Sequence, residues 1–269
     1  MLPAGVLETP ASPITIAGRD GQVAGALVLL HAFPMNARMW EAQRVLAAQG
    51  WRVLAPHFPG FDGAPVQPQS MTMDDYAGRV VDLLDALHIR EAVVAGVSMG
   101  GYAALALVRH APRYVRALIL ADTKAPADTP EVREARQTMI ALAREKGAAA
   151  VADVMIPRLL GETTRRERPL IVERARSIIV SNSPDAIEGA LRALMSRDDS
   201  TPLLPTIRVP TLVIVGEEDM VTPPADSAAL HRGIAGSELV RIPHAGHLSS
   251  LEQPEAFNAA VARFLSNRI

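Results

Sequence analysis

The sequence predicts an α/β fold built around a mostly parallel, doubly wound sheet, and three observations carry that expectation. Apolar runs of strand length, at residues 25–30, 51–56, 115–121 and 210–216 with another ending at Val97, alternate with segments of helical periodicity. Strands that are apolar on both faces and separated by helices belong to a parallel sheet covered on both sides. Between the run ending at Val97 and the helical run from Met99 to His110 stands Ser98 alone, so the chain must turn there very tightly. The alternation then stops from about Thr123 to Pro205, where several helices and no strand are expected. The core is therefore expected at 1–122 and 206–269, interrupted by a helical lid at 123–205.

Composition sets the outer limits. A chain of 269 residues that is 49% hydrophobic can bury one large α/β core. A formal charge of −2 from mixed acids and bases leaves no basic field for a phosphate backbone, so nucleic acid is not an expected partner. The chain has no cysteine, which excludes disulfides, thiolate metal sites and cysteine nucleophiles. Residues 1–10 lack the basic and apolar regions of a signal peptide, and no apolar stretch approaches the ~18 residues that span a bilayer. A soluble, cytoplasmic protein without membrane contact is expected.

Each element has its own signal. Pro3, Pro10 and Pro13 break up residues 1–23, where one strand is plausible at Ile14 to Ala17. The run 25–30 leads into His31-Ala-Phe-Pro, and a helix from about Met39 is closed by Gly50. After the strand 51–56, residues 57–63 are dense in turn formers. Thr72 starts a helix whose Tyr76, Val80, Leu83, Leu84 and Leu87 share one face. Inside the insertion, Thr129 with Pro130 caps a helix expected to run to Gly147, and Ser183 with Pro184 caps another reaching about Ser196. The charged stretch Arg165 to Pro169 reads as a solvated helix face. A strand at 238–243 and a final amphipathic helix from about Pro254 complete the chain.

The chemistry centres on Ser98. Gly96 and Gly100 flank it where a Cβ would collide with neighbouring backbone, giving Gly-x-Ser-x-Gly between a strand and a helix. That arrangement is a nucleophile elbow, which lifts a serine Oγ above the sheet and turns the N–H groups of a helix N-terminus toward a substrate. The glycine signatures of dinucleotide and P-loop sites are both missing. A serine hydroxyl is a weak nucleophile at neutral pH, so it needs an imidazole to accept its proton and a carboxylate to orient that imidazole. In doubly wound sheets such groups lie just beyond the carboxyl ends of strands. Asp219 and His247 occupy such positions and give the chain order Ser98, Asp219, His247. His31, His57 and His244 also follow strands, and Asp122 ends the run 115–121, so both partners have rivals. An oxyanion would take one N–H from Met99, the residue after the serine, and a second from the loop after Leu30.

From Gly25 to Leu265 these motifs resemble the α/β-hydrolase fold superfamily. Gly246-His-Leu-Ser-Ser-Leu-Glu-Gln-Pro-Glu-Ala-Phe257 is similar to its Gly-His…Glu-x-Pro…Phe closing segment, which favours His247. Gly216-x-x-Asp219 resembles the commoner placement of the acid, and favours Asp219 over Asp122. His31-Ala-Phe-Pro34 resembles the His-Gly-x-Pro signature, with Ala32 in place of glycine, and assigns the second oxyanion donor to the N–H of Phe33. Within the superfamily the chain looks most like small carboxylesterases and 3-oxoadipate enol-lactonase-type hydrolases. The resemblance implies hydrolysis of a small carboxylic ester or lactone through an acyl-enzyme, with no cofactor and no metal. Alternatives with the same triad are a cofactor-free haloperoxidase or perhydrolase and a carbon–carbon hydrolase; a non-catalytic receptor would reuse the fold alone. By position, Phe33, Met99, Met155 and Ile156 are expected to face the substrate.

Overall fold

Five apolar runs and the mixed segment near 238–242 become six parallel strands of one sheet in the computed structural model, which describes residues 6–8, 24–64 and 71–269. In chain order they are β2 (Gly25–Leu30), β3 (Trp51–Pro56), β4 (Ala92–Val97), β5 (Val115–Ala121), β6 (Thr211–Gly216) and β7 (Glu238–Ile242). A short β1 (Val6–Glu8) pairs antiparallel with β3 at one edge, giving the order β1-β3-β2-β4-β5-β6-β7. The strand expected at Ile14 to Ala17 lies outside the described residues. The first strands step outward from β2 to β3, and the chain then returns to the other side through β4. That reversal leaves the carboxyl ends of β2 and β4 side by side, where doubly wound sheets form their binding crevice.

Because side chains alternate across a strand, one run feeds two cores. Val28, Leu30, Val94, Leu118, Leu120 and Val213 face helices α1 (Met73–Ala86) and α2 (Met99–His110). Leu27, Leu29, Val93, Ala95, Ile119 and Ile214 face the other way, onto Trp40, Phe257, Val261 and Phe264. Phe257, Val261 and Phe264 belong to the last long helix, Pro254–Arg268. Thr72 caps α1 in a reciprocal capping box with Asp75. The helix expected from Met39 begins at Ala37 and is wound as 3-10 turns to Gln49, closed by Gly50 in the left-handed conformation.

Between β5 and β6 lie four helices: α3 (Pro130–Leu159), α4 (Glu162–Glu167), α5 (Pro169–Val180) and α6 (Pro184–Ser196). Thr129 and Ser183 cap α3 and α6 through their hydroxyls. Gly147 does not end α3; at φ 73°, ψ −177° it breaks the helix, which resumes at once and continues to Leu159. The reason is apolar: Ala148 and Val151 on the far side of the break bury against the core with Ile140 and Ala143. Arg144 on α3 grips Glu188 on α6 with two charge-assisted bonds of 2.6 Å each, and Arg192 adds a third at 2.9 Å.

The corner between β4 and α2 is closed backbone against backbone. A Cβ on Gly96 would sit 2.2 Å from the carbonyl of Gly100, and one on Gly100 would sit 2.1 Å from the carbonyl oxygen of Leu30. Both obstacles are backbone, so no side chain can swing aside. Overpacking of this kind costs about 3 kcal/mol or more. Gly96→Ala is therefore expected to lower the thermal midpoint by more than about 5 °C for a domain of this size; an unchanged melting curve would mean that the corner can relax.

Candidate active site

Ser98 stands at that corner with φ 53° and ψ −112°, backbone that an L-residue adopts only under constraint. The constraint is visible. Its N–H donates to Ala121 O at 3.0 Å, while its carbonyl accepts from Gly101 N–H, Tyr102 N–H and the Thr123 hydroxyl at 2.9, 3.2 and 2.9 Å. Gly101 is also closely covered, since a Cβ there would lie 2.6 Å from Thr123 Oγ1, a side-chain atom. Ser98 is 8% exposed at the carboxyl edge of the sheet.

Asp219 and His247 meet at this edge. His247 Nδ1 and Asp219 Oδ2 are 2.8 Å apart, and both residues are buried. The other demands of the carboxylate are met by its own loop: Val221 N–H and Thr222 N–H donate to Oδ1, and the Thr222 hydroxyl donates to Oδ2 at 2.8 Å. Thr222 Oγ1 also lies 3.2 Å from His247 Nδ1. Among the described residues no hydrogen bond joins His247 to the Ser98 hydroxyl; such contacts commonly tighten only when substrate binds. Burial raises the Asp219 carboxyl, but the charge of His247 and the donors from His247 and Thr222 outweigh it and hold the group below its usual range. Burial likewise depresses His247, and the Asp219 charge and hydrogen bond, helped by Asp122 and Glu252, more than reverse this.

The rivals are placed differently. Asp122 is fully buried and accepts from Gly216 N–H, Ser249 N–H and the Ser249 hydroxyl at 2.8, 3.1 and 2.6 Å, so it ties β6 to the histidine loop. Burial and the neighbouring Asp219 charge push its carboxyl up, as expected when two carboxylates share one dry region. His31 is buried with Nε2 accepting from Phe58 N–H at 3.0 Å, and burial drives it down to about 3. His57 is lowered by burial against the pull of Asp62, and His244 is exposed.

Two carboxylates that sequence reasoning left without a role clasp the helical insertion to the site. Glu252 is buried and accepts from Gly246 N–H and Leu248 N–H on one side and from Gly161 N–H, beyond the end of α3, on the other, at 2.9, 3.2 and 2.8 Å. Glu218 accepts from the amide and hydroxyl of Thr163. His247 N–H itself donates to Leu159 O at 2.9 Å. The backbones cross so closely that a Cβ on Gly246 would lie 2.3 Å from Gly161 N. The charged stretch nearby is mostly solvated, although Arg168 also reaches Glu252 O at 2.6 Å.

Beside these groups lies a cleft of about 180 Å³, lined by Phe33, Tyr102, Met139, Met155, Val221 and Thr222 among others. Phe33 and Met155 are there as expected from position. Met99 and Ile156 are not; Met99, the first residue of α2, is fully buried in the core on that side of the sheet, and Ile156, one position on from Met155 around the helix, packs in the opposite core with Leu159 and Ile179. Among the described residues, the amides of Phe33 and Met99 donate to no other group, which leaves both free for an anion.

The α/β hydrolase fold family matches residues 25–254. The chain belongs to that family. It is 30% identical over 236 residues to 3-oxoadipate enol-lactonase 2 of Acinetobacter baylyi, covering 88% of this chain and 86% of the relative. Among solved structures it is similar to a thermophilic esterase from Thermogutta terrifontis with malate bound, at TM-score 0.89 and 36% identity over 98% of each chain. It also resembles the enol-lactonase from Burkholderia xenovorans LB400, at TM-score 0.84 and 29% identity over 90% of this chain and 92% of that one. Within this hydrolase fold the electrostatics of His247 can be measured directly. Its imidazole is expected to titrate above the ordinary value of about 6.5 by NMR, and in Asp219→Asn, where burial acts with less opposition, well below the wild-type value. Unchanged titration in the variant would mean that Asp219 does not set the proton affinity of His247.

Proposed function

We propose that the protein hydrolyses a small carboxylic ester or lactone through an acyl-enzyme, with Ser98 as nucleophile, His247 as base and Asp219 as its orienting acid. The observation that carries this reading is the 2.8 Å contact between Asp219 Oδ2 and His247 Nδ1, at the same sheet edge as a serine held in a strained, glycine-flanked corner. Family membership and esterase and lactonase relatives support ester or lactone hydrolysis in general.

In this mechanism His247 Nε2 takes the proton of Ser98 as Oγ attacks the carbonyl carbon. Asp219 fixes the tautomer with Nδ1–H and stabilises the imidazolium. The carbonyl oxygen becomes an oxyanion held by the N–H groups of Phe33 and Met99, each such donor being worth ~2.7–4 kcal/mol of barrier. His247 then protonates the leaving alkoxide, or the ring oxygen of a lactone, and later activates the water that releases the acid. The insertion acts as a lid, because Met139 and Met155 of α3 and Leu191 of α6 form one wall of the cleft.

Ser98→Ala is expected to abolish turnover of p-nitrophenyl esters and labelling by a fluorophosphonate without altering the melting curve. Asp219→Asn should lower kcat by up to ~10⁴-fold through loss of tautomer control, and Asp122→Asn by much less; the reverse ranking would move the acid to the end of β5. Met139→Ala and Met155→Ala should alter the preference between acetate and octanoate esters, since a methylene in an apolar pocket is worth ~1–3 kcal/mol of discrimination. Equal effects on both esters would remove the lid reading.

A further inference from the structure

We propose that Asn182, in the junction between α5 and α6, is a positioning residue that holds the amide of Phe33 in place as an oxyanion donor. The inference rests on the hydrolase reading and gives the helical insertion a part in its chemistry. Phe33 N–H lies in the peptide that joins Ala32 to Phe33, and the plane of that peptide also contains Ala32 O. Ala32 O accepts from Met35 N–H at 2.9 Å, with His31 Nδ1 beside it at 3.0 Å. Met35 N–H lies in turn in the next fixed plane, the Pro34–Met35 peptide, whose oxygen accepts from Asn182 Nδ2 at 2.9 Å. Two planar groups and two hydrogen bonds thus lead from Asn182 to the oxyanion donor. Among the described residues nothing else donates to Pro34 O.

Asn182 is buried, and its amide is fully used. Nδ2 also donates to Ile178 O at 3.1 Å, while Oδ1 accepts from Asn36 Nδ2 at 3.0 Å and from Asp62 N–H at 3.2 Å. Asn36 is buried too, and caps the helix Ala37–Gln49 by accepting from Arg38 N–H at 3.0 Å. One side chain therefore joins three stretches of chain: the loop after β2, the loop after β3 and the α5–α6 junction. A buried amide whose two donors and two acceptor sites are all matched has a single orientation. The seat is also closely packed, since a Cβ on Gly60, itself at φ 85°, would lie 2.9 Å from Ala186 Cβ at the start of α6.

The link matters because an oxyanion donor works by being in place before charge develops. A displacement of about 1 Å costs about a hundredfold in rate. The amide of Phe33 has no side chain to adjust its aim, so its direction is set by the peptide planes on either side of it. Asn182 fixes the outer one of these from a position 148 residues away in the chain.

Asn182→Asp keeps the size and the acceptor oxygen of the side chain but, ionised, cannot donate to Pro34 O. On p-nitrophenyl acetate it is expected to lower kcat by about ten- to a hundredfold, short of the loss of a whole donor, with KM within about twofold. Labelling of Ser98 by a fluorophosphonate, whose phosphoryl oxygen takes the place of the oxyanion, should slow in step. The pH dependence governed by His247 should not move. Asn182→Ala should act in the same direction, and if it does not fold, Asn182→Asp carries the test. Ile187→Ala removes buried contacts of α6 and none of these hydrogen bonds, so it is the control for destabilisation, with kcat expected within about twofold of wild type. A rise in KM at constant kcat, a shifted His247 limb or an equal loss in Ile187→Ala overturns the proposal. Wild-type rates in the Asn182 variants, beside turnover that depends on Ser98, overturn it and leave the hydrolase reading standing. The amide resonance of Phe33 gives a readout that needs no turnover: it is expected to shift or broaden in both Asn182 variants while that of Met99 stays in place. An unmoved Phe33 resonance overturns the proposal. A moved one in a protein whose Ser98 proved inert would keep the link from Asn182 to Phe33 and sink the hydrolase reading alone.

Discussion

The arrangement depends on one close approach of backbone to backbone. Strand β4 can hand Ser98 to α2 without an intervening loop because Gly96, Gly100 and Gly101 leave no Cβ between the corner, the Leu30 carbonyl and Thr123. Three bonds to the Ser98 carbonyl and one from its N–H then hold a positive φ that free chain would abandon. The same approach sets β2 beside β4, so the loop after Leu30, which carries Phe33, leaves the strand next to the one that ends at Ser98.

Around that corner the polar groups divide their labour by what surrounds them. Asp219 and Asp122 are carboxylates at the ends of neighbouring strands, yet one is pulled below the usual range and the other pushed above it. The difference lies in their partners: Asp219 faces an imidazole that can take positive charge, whereas Asp122 faces amides, a hydroxyl and a second carboxylate. A single negative charge in a dry region is easier to keep than two, and it settles where a cation can form.

Much of this was legible in the sequence. Runs such as 25–30 and 115–121 are apolar on both faces and have no competing helical reading, so their bounds as strands could be read residue by residue. Ser98 could be singled out because a strand, a helix and glycine spacing mark it locally, whereas Asp219 and His247 had rivals at other strand ends and were favoured by the resemblance of their segments to the superfamily. Other features escaped for physical reasons. Gly147 has the local form of a helix terminator, but buried contacts on both sides carry α3 past it. Thr222 carried a readable signal, an aspartate three residues before a threonine in a tight turn. The contacts of Glu218 and Glu252 with the insertion had no such signal, since those partners lie 55 and 91 positions away.

The clasp at Gly161 and Thr163 bears on how such an enzyme could be remodelled. Residues 159–163 join the helical insertion to the loops of Asp219 and His247 through main-chain amides, one carbonyl and two carboxylates, whereas α5 and α6 make no such contacts with those loops. The insertion is therefore two things in one stretch of chain: helices packed on one another and into the two cores, and a fixed buttress for the loop of His247. Recombination that exchanges the whole insertion at its sequence borders would take the buttress with it. Grafting that keeps the five residues from Leu159 to Thr163 would leave the loops of Asp219 and His247 braced, so a seam for diversifying this fold lies inside the insertion and not at its ends.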